Sequence, residues 1–435
     1  MKIVILTQYY PPEIGAPQTR LSGLAKHLAA CGHEITVLTA MPNYPSGRIH
    51  PGYGGLVRKE NLGGICVIRT FIYPAQSARM IPRMVNYLSF VASATFFGTL
   101  LLEQPDFLMV ESPPLFLGMA GIWLNLWTGA KLIFNVSDLW PDSAVELGMV
   151  KKDGIAARIA YWLEKTSYRK AWLITGQSKS IVENIQMRFP GRPVFHLSNG
   201  VDTACFAPSR NTETARAVLG SKEQFVIAYA GLHGHAQGLS QVLEAARILA
   251  SDDAFRFVLI GDGPEKQRLQ MKANEMNLAN VRFLDSRPHA EIPGILAAAD
   301  AILVPLVGQI TGAVPSKIYE AMASGRPLVV VASGEPAEMV SEYRSGLTVT
   351  PNDVGGLVGA FRILRENVQL GKSFGENGRK AAVKDFDRKG ILEEFATFLT
   401  THEKAAVPTF PVIRQRSDSA HPWVINNHDR ANSSS

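Results

Sequence analysis

The sequence predicts an α/β protein built from two doubly wound domains in tandem, and three observations carry that reading. Short β-rich runs alternate with amphipathic helical stretches twice over, once in each half. At 435 residues the chain exceeds what one hydrophobic core ordinarily serves. A turn-rich hinge, Leu197-Ser198-Asn199-Gly200-Val201-Asp202, lies near the middle. The expected division is 1–198 for the first domain and 199–385 for the second. A closing helix over 386–405 would pack back on the first domain, and 406–435 reads as a disordered, Ser- and Asn-containing tail.

The first domain opens with a strand over 2–7, a Pro/Gly-punctuated loop over 9–17, and a helix with Leu21, Leu24, Ala25 and Leu28 on one face. Gly32 stops that helix, and 34–39 is the next strand. Apolar runs at 107–111, 131–136 and 171–175 extend a parallel sheet. In the second domain, strands are expected at 225–230, 255–260, 281–284, 301–304 and 327–331, with a helix carrying Leu239, Val242, Leu243 and Ala246. A helix over 315–324 follows the fourth of these strands, and two or three helices close the chain.

Residues 84–102 contain no charged side chain over nineteen positions, close to the length that crosses a bilayer. Asn86, Ser89, Ser93, Thr95 and Thr99 dilute the run and Gly98 breaks it. A buried or surface-lying helix is therefore expected rather than a span, with Arg79 and Arg83 placed to meet anionic headgroups. The net charge of +6 favours an anionic partner. Lys and Arg are scattered without aromatic interleaving, which argues against nucleic acid and for a membrane surface or an acidic lipid-linked substrate. Cys31, Cys66 and Cys205 lie far apart and form no CxxC, so neither a disulfide framework nor a zinc site is expected. The first residues lack the apolar core of a signal peptide, which points to the cytoplasm. No GxxxxGK[ST], GxSxG or HExxH motif occurs, and Asp385-Phe386-Asp387 reads as a solvated turn, so no catalytic metal is indicated.

The most informative stretch is 312–325. Pro315 suits the first helical position, where its missing N–H costs nothing. Ser316 and Lys317 then fall in the first turn, where free N–H groups and the helix dipole attract phosphate. Glu320, three residues after Lys317, shares its face. A carboxylate that holds a diol beside an ammonium that neutralises phosphate suits a nucleotide sugar. The Gly231–Gly238 segment follows a strand and opens a helix, so its glycines either admit a pyrophosphate or simply make a turn. His233 and His235 there are either solvated or phosphate contacts. Gly261-Asp262-Gly263-Pro264 is a second strand-to-helix turn of this kind, and Arg287 ends the next strand at a possible nucleobase seat. In the first half, Gly15 sits between the first strand and the first helix. Asp138-Leu139-Trp140-Pro141 follows the 131–136 strand, where an acid beside an aromatic holds a sugar or else caps a helix beside a buried Trp.

Taken together, these motifs resemble the family 4 retaining glycosyltransferases of the GT-B fold, over roughly residues 1–400. The likeness is closest in the Gly15 loop, Asp138-Leu139-Trp140-Pro141, Asn199-Gly200-Val201-Asp202 and Pro315-Ser316-Lys317 with Glu320 and Gly325. It extends to the branch that builds bacterial envelope polysaccharides, including N-acetylfucosaminyl transferases of O-antigen and capsule. The resemblance implies two Rossmann-like domains facing across a cleft. It assigns catalysis to Asp138 and Lys317, and donor binding to Gly15, Gly231, Gly234, Gln237, Gly263, Arg287, Ser316 and Glu320. Glu320 would hold the ribose hydroxyls and Asp138 would face the transferred sugar. The implied donor is a UDP-linked sugar, such as an N-acetylhexosamine, used as substrate with no cofactor or metal. The implied acceptor is a polyprenyl-diphosphate-linked saccharide at the inner face of the membrane. Two departures shift the charge balance. Leu232 and Gln237 stand near where the family carries Arg and Lys, and Gly312 stands where it carries a first Glu. The cation for the leaving diphosphate then falls to Lys317. A nucleotide-sugar epimerase of similar build and a non-catalytic nucleotide-sugar-binding protein are the alternative readings.

Overall fold

In a computed structural model, the described residues are 1–408 except 45, 76–79, 147, 149, 221–222, 309–311 and 313. Arg79 and most of the 406–435 tail lie outside them. The chain forms two compact units. One comprises Met1–Asn199 with the returning segment from Lys389, the other Gly200–Arg388.

The first unit carries β1 (Lys2–Leu6), α1 (Ala16–Ala30), β2 (Glu34–Ala40), β3 (Val57–Leu62), β4 (Ile65–Thr70), α2 (Met80–Leu101), β5 (Phe107–Ser112) and α3 (Leu117–Thr128). It continues with β6 (Lys131–Val136), α4 (Asp142–Glu146), α5 (Ile155–Lys170), β7 (Leu173–Gly176), α6 (Lys179–Arg188) and β8 (Val194–His196). The sheet order is β3-β4-β2-β1-β5-β6-β7-β8, parallel except for the β3–β4 hairpin. Strand order therefore reverses between β1 and β5, the topological switch where ligands of such sheets bind. The hairpin escapes sequence reading because β3, Val-Arg-Lys-Glu-Asn-Leu, is a charged and largely exposed edge strand without apolar alternation.

Helix α2 is the charge-free segment, and it is one of the layer that covers this sheet. Phe90, Val91 and Ala94 are buried in the core shared with β2, β4 and α3. Its polar residues find local partners. Buried Asn86 accepts from Gln8 Nε2 at 2.9 Å and donates to the Tyr73 carbonyl at 2.7 Å. Thr95 and Thr99 donate to carbonyls one turn back. The helix runs on through Gly98, where a Cβ would stand 2.9 Å from Leu124 Cδ2 of α3, so the glycine permits close helix packing rather than a break.

The second unit carries α7 (Glu213–Leu219), β9 (Phe225–Ala230), α8 (Leu239–Ile248), β10 (Phe255–Ile260), α9 (Lys266–Glu275), β11 (Val281–Leu284) and α10 (Ile292–Ala298). It ends with β12 (Ala301–Pro305), α11 (Ser316–Ala323), β13 (Leu328–Val331), α12 (Glu335–Glu342), β14 (Gly346–Val349), α13 (Val354–Glu366) and α14 (Val368–Asp385). Its parallel sheet runs β11-β10-β9-β12-β13-β14. Residues 385–387 are a joint, not a solvated turn. Phe386 is buried against Tyr319 and Tyr343, Val201 N donates to the Phe386 carbonyl, and Arg388 N donates to the Val201 carbonyl. Thr203 bonds Asp387 as well. The apolar Phe between the two acids anchors the returning chain beside the outgoing one.

The last helix, α15 (Arg388–His402), belongs almost wholly to the first unit. Leu392, Phe395 and Leu399 are buried with Ile3, Leu21, Leu28 and Phe195. The Ala405 carbonyl beyond it accepts from Lys131 Nζ at 2.9 Å and Trp172 Nε1 at 3.1 Å.

Candidate functional site

In the second unit the strand order reverses between β9 and β12, and the segments leaving those two strands meet. Gly231 follows β9. A Cβ built on it would fall on Lys317 Cε, 2.7 Å from Lys317 Nζ and 2.9 Å from Tyr229 Oη. Only a glycine lets the lysine cross this turn. The turn is locked from the far side by β10: Gly231 N donates to the Ile260 carbonyl and His233 N to the Asp262 carbonyl, each at 2.8 Å. Gly261 (φ +141) and Gly263 (φ +154) press against the carbonyls of Gly231 and His233, where no side chain fits. The two glycine turns are thus one interlocked surface.

Lys317 lies on the first turn of α11, with Ser316 as its first residue. Pro315 is the N-cap rather than the first helical residue. Its ψ of 129° is extended, and its carbonyl accepts from Ile318 N at 3.0 Å. The N–H groups of Ser316 and Lys317 consequently have no helical acceptor. Lys317 makes no ion pair among the described residues, and the Glu320 carboxylate, one turn on, makes neither a hydrogen bond nor an ion pair among them. The other lysine close by is committed: Lys266 pairs with Asp285 at 2.6 Å.

The remaining expected donor residues divide. Gln237 folds inward, so that a Cβ on Gly234 would stand 2.6 Å from its Oε1, and that oxygen is buried without a hydrogen-bond partner among the described residues. Leu232 is exposed. Positive charge at this turn accordingly comes from Lys317 and the α11 terminus. His233 is not solvated. It is fully buried between the rings of Tyr229 and Phe283, and burial, with the Lys266 charge, pushes its pKa down to about 4. Arg287 is not brought to Lys317. It lies past the edge strand β11 and faces Glu291 at 3.7 Å, roughly 10 Å across the sheet from β9 by strand spacing.

In the first unit, Gly15 is the N-cap of α1 in an extended conformation, and a Cβ there would strike the side chain of buried Gln18. The loop that carries it is pinned by Arg69, fully buried, which pairs with Glu60 at 2.6 Å and donates to the Pro11 carbonyl. Buried Glu13 accepts from Asn43 N and Tyr44 N at 2.7 and 2.8 Å. Asp138 follows β6 and is no helix cap. Its Oδ2 accepts from Ser143 Oγ at 2.9 Å, while Oδ1 is buried with no hydrogen-bond partner among the described residues. Burial raises its pKa against the opposing hydrogen bonds. Trp140 is only partly buried.

Sequence reasoning missed a polar network at the ends of β5 and β6. Arg20 pairs with Glu111 at 2.5 Å, and Asn135 and Ser137 also hydrogen-bond that carboxylate. Ser137 further bonds the Gln177 amide. The signal available was a lone charge, Glu111, ending the apolar run 107–110. Among the described residues, no group of three or more His, Cys, Asp or Glu is placed to hold a metal ion, and all three cysteines are free.

Two family models match in tandem: "Glycosyl transferase 4-like domain" over residues 15–200 and "Glycosyl transferases group 1" over residues 211–381. The putative colanic acid biosynthesis glycosyl transferase WcaI of Escherichia coli K12 is 26% identical over 91% of this chain and 98% of its own length. Among solved structures, sucrose-phosphate synthase from Thermosynechococcus elongatus superposes with a TM-score of 0.73 at 19% identity, covering 92% of this chain and 98% of that one. Anabaena Alr3699/HepE in complex with UDP-glucose gives a TM-score of 0.67 at 19% identity, over 92% of this chain and all of that one (100%).

Proposed function

Because the chain belongs to the family 4 glycosyltransferases of the GT-B fold, we propose that it moves a sugar from a UDP-linked donor to a lipid-linked saccharide, with retention and without a metal. The observation that carries this reading is Lys317 lying across the Gly231 turn, with Glu320 one helical turn away and neither charge neutralised among the described residues. In the transfer, the bond from the anomeric carbon to the diphosphate oxygen breaks. The acceptor hydroxyl oxygen bonds that carbon on the same face, and its proton passes to an oxygen of the leaving diphosphate. Negative charge grows on the diphosphate, so the Lys317 ammonium and the free N–H groups of α11 act where stabilisation counts most. Glu320 holds the ribose hydroxyls, and Asp138 is assigned to the transferred sugar.

Other parts of the reading rest on likeness. A UDP donor is supported by the UDP-glucose complex of the HepE neighbour, and an N-acetylhexosamine by the Asp138–Pro141 and Pro315–Lys317 motifs. Envelope polysaccharide as the product is supported by the relative named for colanic acid biosynthesis. Attachment at the inner membrane face is supported by the exposed apolar side of α2 and by the net positive charge. The test is UDP release from a panel of UDP-sugars, with and without a polyprenyl-diphosphate saccharide, in the presence of a chelator. Acceptor-dependent release that survives chelation is expected. Conversion of donor without acceptor would show an epimerase instead.

A further inference from the structure

Helix α11 is only eight residues long, so whatever holds its far end also sets where Lys317 and Glu320 stand. We propose that Arg379 is a positioning residue for this helix; this rests on the reading above that Lys317 and Glu320 meet the donor. Arg379 lies on α14, and its Nη1 donates to the Ala323 carbonyl at 3.0 Å. Ala323 is the last residue of α11, where carbonyls lack helical donors and the dipole favours a cation. The same nitrogen reaches the carbonyls of Thr203 at 3.0 Å and Phe206 at 2.8 Å. One guanidinium thus ties the end of α11 both to α14 and to the segment that follows Val201.

Two glycines of α14 complete this seat. A Cβ on Gly375 would strike the Gly325 carbonyl, and one on Gly378 would stand 3.3 Å from Met322 Cα. The two backbones therefore approach as closely as glycine allows. From the other side, a Cβ on Gly325 (φ +68) would stand 2.6 Å from Pro208 Cγ, so the end of α11 sits between α14 and the 203–208 segment. The near end has no comparable hold. Its N-cap, Pro315, supplies no side-chain hydrogen bond. Ile318, Ala321 and Met322 are buried in the core, but apolar packing is non-directional and lets a helix slide or turn. Hydrogen bonds accept only a narrow range of distance and angle, so Arg379 and the glycine contacts fix the axial position. Lys317 stands about 9 Å from Ala323 along the axis, at 1.5 Å per residue, and a helix this short carries a shift at one end to the other.

The test is a double-mutant cycle with Lys317 on the full chain, read by single-turnover UDP release from a UDP-sugar with the polyprenyl-diphosphate saccharide as acceptor. Arg379→Lys keeps the charge but loses the rigid fork that spans these carbonyls. It should slow UDP release roughly tenfold, within the 10²-fold that a 1 Å misplacement can cost, and leave the KM for the acceptor unchanged. Gly378→Ala presses on Met322 without removing a hydrogen bond, and should give a smaller loss of the same kind. In the Lys317→Ala background each substitution should slow release less than about threefold, because a residue that acts through Lys317 then has little left to displace. Thermal melts report that each variant is folded. Equal losses in the two backgrounds, which a general loosening of the fold would give, overturn the proposal, as do wild-type rates in the folded variants. Wild-type turnover in Lys317→Ala alone would instead sink the donor reading, and this role with it.

Discussion

Lys317 is the residue on which the proposed transfer depends most. Its side chain crosses the Gly231 turn where neither Leu232 nor Gln237 offers charge. Lys317→Ala should lower kcat about 10²–10³-fold, the usual effect of deleting one donor to developing negative charge, with Tm nearly unchanged; single-turnover UDP release checks it, and wild-type turnover would sink the assignment. This residue was legible because Ser316, Lys317 and Glu320 are local in sequence, and helix periodicity alone sets their common face. The Arg20–Glu111 pair was not, since its members are 91 residues apart and only the β1–β5 pairing brings them together. The burial of His233 was hidden for a related reason: a histidine in a glycine loop looks as if it could be solvated until the neighbouring strand buries it. Its folded pKa of about 4 lies below the ordinary value near 6.5, so the unfolded chain binds the extra proton between those values. Stability from this site is therefore present above about pH 6.5 and lost as pH falls through about 4. His233→Phe, which keeps a ring between Tyr229 and Phe283, should flatten the acid side of a Tm-against-pH curve.

At the level of elements, the two glycine turns after β9 and β10 behave as one part. Gly261 combines a left-handed φ of +141° with direct contact on the Gly231 carbonyl, so Gly261→Ala meets both backbone strain and collision. It should cost more than about 1 kcal/mol and weaken UDP binding by moving the Gly231 turn; urea unfolding and calorimetry measure the two effects. Strands with continuous apolar runs, β9 and β10 above all, were plain in the sequence because both faces of a parallel sheet are buried. The β3–β4 hairpin was not, because an edge strand is selected for charge and exposure rather than pattern. β8, at three residues, is too short for periodicity to register, and β14, Gly-Leu-Thr-Val, breaks its apolar run with a glycine and a threonine.

At the level of the whole molecule, the chain leaves the first unit at Asn199 and returns to it at Lys389, so the last helix completes the core of the domain that was made first. Phe395 is fully buried and packs against Phe195 with ring centroids 5.3 Å apart. Phe395→Ala should destabilise the first unit by about 3–5 kcal/mol, and a chain ending at residue 387 should leave that unit prone to aggregation; differential scanning calorimetry should show the first transition fall while the second holds. The sequence by itself determined the tandem α/β architecture, the helix that bears Ser316, Lys317 and Glu320, and the family, because these depend on patterns only a few residues long. Tertiary structure alone decided that Lys317 stands on Gly231, that His233 is buried, that 385–387 is a joint, and that α14 holds the far end of α11. Each of these is set by strand order and helix packing between residues far apart in the chain, and such contacts leave no period in the sequence to read.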